Sequence, residues 1–338
     1  MKQFRIWLAL SLCVTCLWGC STSSSKYVFN SGAVYGTLYH IVYESPDGDD
    51  MHEEIKAEMQ RFDNSLSTFN PVSTISKINK NEPTELDPFF LKCYNKAVLV
   101  SEATEGAFDM TVAPMVNAWG FGFKNREKVT PEVVDSLKSI VGYQKVHLKE
   151  GKIIKQDPRT MLDASAIAKG FSVDVVAEYL KNKGCKNFMV EIGGEIVAQG
   201  VNSKNKTWVI GINKPKEDMP LDHQELQATV SLKNCGMATS GNYRNFYVDG
   251  GKKYAHTIDP RSGYPVQHSL LSSSVMAPTC MEADAFATSF MVLGVEKSQE
   301  IVLANPKLEA FFIYADDKGN TKIWSSPGFK KQIKDIIE

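Results

Sequence analysis

Strand-like apolar segments come in runs in this chain, without regular alternation with helices, and that pattern constrains its architecture most. A helix is expected over residues 165–183, where Ile167, Phe171, Val175 and Tyr179 form an apolar stripe and Gly184 supplies the stop. A short apolar strand follows at 188–192, running into Gly193-Gly194, and another at 208–212. A doubly wound parallel sheet needs a helical crossover between successive strands. The run of strands therefore predicts an α+β fold with mixed or antiparallel sheets packed by helices.

The first half carries more helical signals. Residues 33–43, rich in tyrosine and valine around Gly36-Thr37, favour a strand. Ile55, Met59 and Phe62 recur at helical spacing and predict a helix over 50–62. Another is expected over 88–105, ended by Gly106, and a third over 130–141, with Thr130 as cap, Pro131 at the first helical position and Gly142 past the end. Residues 214–225 read as a polar, proline-containing loop. No internal repeat sets a boundary, and 338 residues suffice for one large domain, expected over 31–338.

The N-terminus differs in character. Lys2 and Arg5 precede an apolar run over residues 6–18, too short to span a bilayer comfortably. It ends in Leu17-Trp18-Gly19-Cys20, which resembles the box at which bacterial lipoprotein precursors are cut before a cysteine that becomes lipidated. The expectation is a signal peptide over 1–19, a lipidated Cys20 and a flexible tether over 20–30, anchoring the fold to a bacterial membrane in the cell envelope, facing the periplasm. Removing residues 1–19 takes away Lys2 and Arg5 and no acid, so the formal charge moves from −1 to −3. Without a block of basic residues interleaved with aromatics, nucleic-acid binding has no support. Cys93, Cys185, Cys235 and Cys280 remain, too widely spaced for a paired zinc pattern, and are expected mostly as buried thiols.

Three constellations carry candidate chemistry. Thr279 and Glu282 fit a capping box that opens a helix, on which Asp284 and Thr288 share a face. Both are oxygen donors suited to a hard cation such as magnesium. A carboxylate near a helix start also complements the helix dipole, so spacing alone leaves both readings open. The segment Asp163-Ala164-Ser165-Ala166-Ile167-Ala168-Lys169-Gly170 stands at a helix start, where free backbone donors bind anions and Lys169 adds charge, or where Asp163 simply caps. His256 follows a strand-turn-strand pattern around Asp249-Gly250-Gly251 and suits either a general base or a structural role. Gly193-Gly194, flanked by Glu191 and Glu195, reads as backbone packing.

Taken together, these segments resemble the ApbE family, the FAD:protein FMN transferases, often envelope lipoproteins. The resemblance runs in order through Gly36-Thr37, Leu66-Ser67-Thr68-Phe69, Ile75-Ser76-Lys77-Ile78-Asn79, and the stretch from Gly106-Ala107-Phe108-Asp109 to Trp119-Gly120-Phe121-Gly122. It continues through the 163–170 segment, Glu191-Ile192-Gly193-Gly194-Glu195, Thr239-Ser240-Gly241-Asn242-Tyr243, residues 256–263, and Ala283-Asp284-Ala285 through Thr288. The family's fold is α+β, and its enzymes move FMN from FAD onto a threonine of a flavoprotein, releasing AMP, with magnesium required.

Carried over by motif, the resemblance implies a magnesium ion held by the Ala166 backbone oxygen, Asp284 and Thr288, with Asp163 and Lys169 contacting FAD. Tyr35, Phe69, Ala107, Phe108, Asp109 and the strand around His256 to Ile258 would line the flavin site, and His256 would take the proton from the acceptor threonine. The implied partner is an acceptor flavoprotein, a subunit of an ion-pumping quinone reductase or a related electron-transfer complex. Two residues depart from the pattern: Phe69 stands where many members have tyrosine, and Tyr35 where methionine is frequent. The alternatives are a FAD pyrophosphatase, with water replacing the acceptor, and a non-catalytic FAD-binding lipoprotein.

Overall fold

A computed structural model of the chain describes residues 26–121, 129–216, 225–242, 246–249 and 252–337. The expected signal peptide and Cys20 lie outside these residues. The chain opens with β1 (Lys26–Val34) and β2 (Thr37–Ser45), followed by α1 (His52–Leu66), α2 (Thr74–Asn79), α3 (Pro88–Ala103), α4 (Ala113–Ala118) and α5 (Pro131–Ile140). A small hairpin, β3 (Val146–Lys149) and β4 (Lys152–Lys155), leads to α6 (Ala168–Asn182). Then come β5 (Phe188–Ile192), β6 (Glu195–Gln199), β7 (Trp208–Asn213), β8 (Leu226–Leu232), β9 (Cys235–Gly241), the hairpin β10 (Phe246–Asp249) and β11 (Lys252–Ala255), and β12 (Leu270–Ala277). The remaining elements are α7 (Cys280–Leu293), α8 (Val295–Ala304), β13 (Glu309–Ala315), β14 (Thr321–Ser325), α9 (Pro327–Gln332) and β15 (Ile333–Ile336).

Eight strands in the order β1-β2-β5-β6-β9-β12-β13-β14 form one sheet, antiparallel at every pairing. Side chains alternate across it, as strand geometry demands. Ala238, Val275, Ala277, Ala310 and Phe312 join the core beneath α3, α6 and α7. Their neighbours Met237, Met276, Phe311 and Ile313 face the other way, onto the three-stranded sheet β15-β8-β7. The middle of the sheet is thus covered by helices on one side and by a small sheet on the other, which explains why β6, β12 and β13 are buried on both faces.

Several expectations shift in detail. The strand expected over 33–43 is two arms of a hairpin, because Tyr35 and Gly36 both take left-handed backbone (φ 52° and 75°) and turn the chain between Val34 and Thr37. Residues 26–30, expected as tether, already pair with 41–45 as strand. The helix expected from residue 165 begins at Ala168, since Asp163 and Ala164 organise a turn first: the Ser165 amide donates to Asp163, and the Ile167 and Ala168 amides donate to the Ala164 carbonyl. The helices at 88–103 and 131–140 fall where their patterns place them, with Thr130 capping as expected, while the one expected over 50–62 starts at His52 and runs on to Leu66. Two further helices, α8 and α9, follow α7.

Two glycines and one aspartate set the approach of α7 to its neighbours. A Cβ on Gly236 would run into the backbone of Cys280, and one on Gly170 would strike the Cys280 carbonyl and lie 2.7 Å from the Asp284 Cβ. Asp174 of α6 accepts hydrogen bonds from the Cys280 and Met281 amides at 2.9 and 2.8 Å, while Thr279 accepts from Glu282 at 3.2 Å. The first-turn donors of α7 are therefore satisfied inside the protein. Cys93, Cys185 and Cys280 are buried, Cys235 is half-buried, and all four are free thiols.

Candidate active site

Where the start of α6 meets α7 and the end of β9, a cavity of about 550 Å³ opens. Phe69, Ala107, Phe108, Asp109, Asp163, Ala166, Lys169, His256, Ile258, Asp284 and Thr288 all line it, so segments more than two hundred residues apart converge on one space. Asp284 and Thr288 lie one turn apart on α7, as their spacing predicts. Asp284 is 2% exposed; its Oδ2 accepts a hydrogen bond from the Gly170 amide at 2.9 Å, at the start of α6. The Thr288 hydroxyl lies 3.2 Å from that of Ser240 on β9.

Lys169 bonds the Glu195 carboxylate through its ammonium group, and both line the cavity. Burial opposes the Lys169 charge, but Glu195 and Asp284 outweigh it and hold the ammonium above its usual pKa. Burial pushes the carboxyls of Glu195 and Asp284 upward, with the Lys169 charge acting against it. In the sequence Glu195 flanks a glycine pair within one segment of the family resemblance and carries no role of its own. The signal it did carry was a carboxylate opening the apolar run Ile196-Val197-Ala198, a context that buries it.

The other walls are braced loops. Asp109 is buried, and its oxygens accept from the Thr111 amide and hydroxyl and from the Tyr143 amide, each at 2.7 Å. Its carboxylate therefore organises the 107–111 loop at the cavity wall. Burial raises its pKa against those hydrogen bonds. Asp163 accepts from the Ser165 amide and hydroxyl, and its own amide donates to the Met110 carbonyl at 2.7 Å, joining two cavity loops.

His256 sits immediately past β11, with its ring 6.4 Å from that of Phe121 in an edge-on arrangement. Residues 243–245, 250 and 251, within the hairpin read from sequence, lie outside the described residues. Beyond His256, Ile258 is buried with Met115, Trp119, Ile140 and Val141. The Trp119 indole donates to the Gly263 carbonyl at 2.9 Å and fixes the other end of this loop. Sequence reading gave Trp119 no role of its own.

Tyr35 lies apart from the main cavity. It lines an adjoining hollow of about 500 Å³ with Gly36, Phe62, Leu66 and Ala168, and its hydroxyl donates to the Met59 carbonyl at 2.7 Å. Burial raises that phenol's pKa further. The two spaces share Phe69, Ser165 and Lys169, so Phe69, 80% exposed, stands at their junction. Among the described residues, no group of three or more His, Cys, Asp or Glu is placed to hold a metal. Any ion here would rely on carbonyl and hydroxyl oxygens beside Asp284.

An antiparallel sheet backed by helices, with a cavity joining a lysine, a histidine and oxygen donors, defines an α+β protein of enzyme-like build. The ApbE family profile matches residues 35–312, and this chain belongs to the ApbE family. It is 40% identical over 324 residues to the FAD:protein FMN transferase of Haemophilus influenzae, covering 91% of this chain and 92% of that one. The FAD:protein FMN transferase of Vibrio cholerae is 35% identical over 335 residues, with 96% and 98% covered. Among solved structures, the flavin transferase ApbE from Vibrio cholerae superposes with a TM-score of 0.81 at 34% identity, covering 91% of this chain and 100% of that chain. The apo flavinyl transferase ApbE of Pseudomonas stutzeri gives 0.80 at 30% identity, covering 91% and 97%. The expected α+β class is borne out.

Proposed function

We propose that this chain is an FAD:protein FMN transferase, attaching FMN from FAD through a phosphoester bond to a threonine of an acceptor flavoprotein and releasing AMP. The observation that carries this reading is the convergence of Lys169, His256, Asp284 and Thr288 on one cavity, in a chain 40% identical to a transferase of that name. Lys169 would meet the diphosphate of FAD, and the Phe69 and Phe108 rings would supply apolar surface to the flavin. His256 would accept the proton of the threonine hydroxyl as its oxygen attacks the phosphorus nearer riboflavin. The bridging P–O bond breaks as the new one forms, and its electron pair leaves with AMP.

A divalent cation fits the donor set: a buried carboxylate, a hydroxyl one turn away and the Ala166 carbonyl are hard oxygen ligands, and the upward push on Asp284 is what a nearby cation would relieve. When bound, magnesium supplies charge neutralisation for the diphosphate. Ala166, Asp284 and Thr288 would hold it. The acceptor would be a subunit of an ion-pumping quinone reductase or related complex, and Cys20 would carry a lipid anchoring the protein at the periplasmic side of a bacterial membrane. Retention in membranes that is lost on Cys20→Ser substitution would support the anchor.

Phe69 favours a second activity, because a ring without a hydroxyl at the cavity junction keeps stacking surface but loses a polar contact. Water would then replace the threonine, giving FMN and AMP. Incubating purified protein with FAD and magnesium, with and without a threonine-bearing acceptor domain, separates the readings. Acceptor-bound flavin fluorescence in a denaturing gel supports transfer, FMN and AMP without acceptor support hydrolysis, and unchanged FAD in both overturns catalysis.

A further inference from the structure

Lys169 has two carboxylates to choose between. Both Glu195 and Asp284 act on its charge, yet the ammonium is hydrogen-bonded to Glu195. The surroundings of Glu195 suit it to receive that ammonium. It opens β6 with a side chain only 4% exposed, its Oε1 takes the lysine, and its Oε2 is buried with no hydrogen-bond partner among the described residues. A Cβ on Gly193 would sit 3.4 Å from that Oε2 and 2.9 Å from Thr37, so the glycine leaves room for the carboxylate to lie against the turn. Burying an acid so completely is costly unless its charge is matched, and Lys169 supplies the match.

We infer that Glu195 is a positioning residue that holds the Lys169 ammonium off Asp284, leaving the Asp284 carboxylate open to a divalent cation. This rests on the reading of Asp284 and Thr288 as cation ligands. With both carboxylates and the lysine ionised, the cluster carries one net negative charge, formally that of Asp284. Removing the Glu195 charge leaves Lys169 and Asp284 to neutralise each other, and the ammonium then competes with the metal ion for the same oxygens. Removing Lys169 as well takes the competitor away and restores the single negative charge. Loss of a hydrogen bond or of packing at residue 195 has no such reversal.

The test is magnesium binding by the intact folded protein, followed by isothermal titration calorimetry without FAD, for wild type, Glu195→Gln, Lys169→Met, the double variant and Asp284→Ala. Glu195→Gln is expected to weaken magnesium binding by about tenfold or more, the scale of one unit charge a few ångströms away in a partly buried site. The double variant is expected to return to within about threefold of wild type. Weakening in the double variant equal to that in Glu195→Gln overturns the inference, as does unchanged binding in Glu195→Gln. If Glu195→Gln does not fold, Lys169→Met decides alone: binding at least as tight as wild type supports the inference, and weaker binding overturns it. Wild type that binds no magnesium, or Asp284→Ala that binds it normally, overturns the metal reading itself and this inference with it.

Discussion

The Gly170 amide donates to the Asp284 carboxylate at 2.9 Å, linking the first turn of α6 to the middle of the cavity wall across 114 positions of sequence. The contact exists because residue 170 lacks a side chain: a Cβ there would strike the Cys280 carbonyl and press on Asp284. Gly170→Ala is expected to force α6 and α7 apart at a cost of about 1–3 kcal/mol, the usual range for overpacking. Thermal melting should show the loss, and magnesium affinity should fall with it. A variant with wild-type melting temperature would mean that the two helices are not held at this distance in solution.

Asp284 and Thr288 should separate in their effects. Asp284→Ala removes the only charged donor of the proposed ligand set and is expected to abolish magnesium-dependent FMN transfer. Thr288→Val preserves shape but removes one oxygen, so it should raise the magnesium concentration giving half-maximal activity while leaving a measurable maximum. Full activity of Asp284→Ala at wild-type magnesium concentrations would sink the metal assignment.

What sequence made legible was local or periodic. Asp284 and Thr288 share a helix face by spacing alone, and the run of strands after residue 184 announced a sheet without parallel crossovers. Glu195 was missed because its partner Lys169 comes from the helix before β5, and only the turn at Gly193-Gly194 brings the two together. The hairpin at Tyr35-Gly36 was missed because one of its two left-handed residues is a tyrosine, which gives no turn signal. Trp119 looks like any buried aromatic until its indole is seen to hold the Gly263 carbonyl across 144 positions. Pairings of this kind depend on how elements approach, which no local pattern records.

That indole contact makes a prediction about His256. Trp119→Phe leaves most of the apolar surface in place but strands the Gly263 carbonyl, at a cost of about 1–3 kcal/mol for a buried unpaired acceptor. Because residues 256–263 form one loop packed through Ile258 onto Trp119, turnover should fall more than FAD affinity does. Equal losses in turnover and affinity would instead indicate collapse of the whole cavity.

Asp174 predicts a pH effect on stability. Burial raises its carboxyl from 3.8 to about 6, against hydrogen bonds from the Met281 and Cys280 amides. The folded protein therefore holds this proton more tightly than the unfolded chain, and the stabilising contribution is full below about pH 4 and lost as pH rises through about 6. Asp174→Asn removes the titration, so its melting temperature relative to wild type should climb between those pH values. Parallel profiles for the two proteins would show that Asp174 is not titrating there.

The proposed competition between water and the acceptor threonine can be tested at Phe69. Its ring is largely exposed at the junction of the two cavities, where a ligand's aromatic system would cover it, and it offers no hydrogen bond to hold that ligand in one orientation. Phe69→Tyr adds a hydroxyl at the same ring. A hydrogen bond worth about 1 kcal/mol corresponds to roughly a fivefold change in partition between transfer and hydrolysis. The ratio of acceptor-bound flavin to free FMN, measured at saturating FAD and magnesium, should rise by that order in the variant. An unchanged ratio would remove Phe69 as the reason for water to compete, and would shift attention to how closely the acceptor threonine approaches His256.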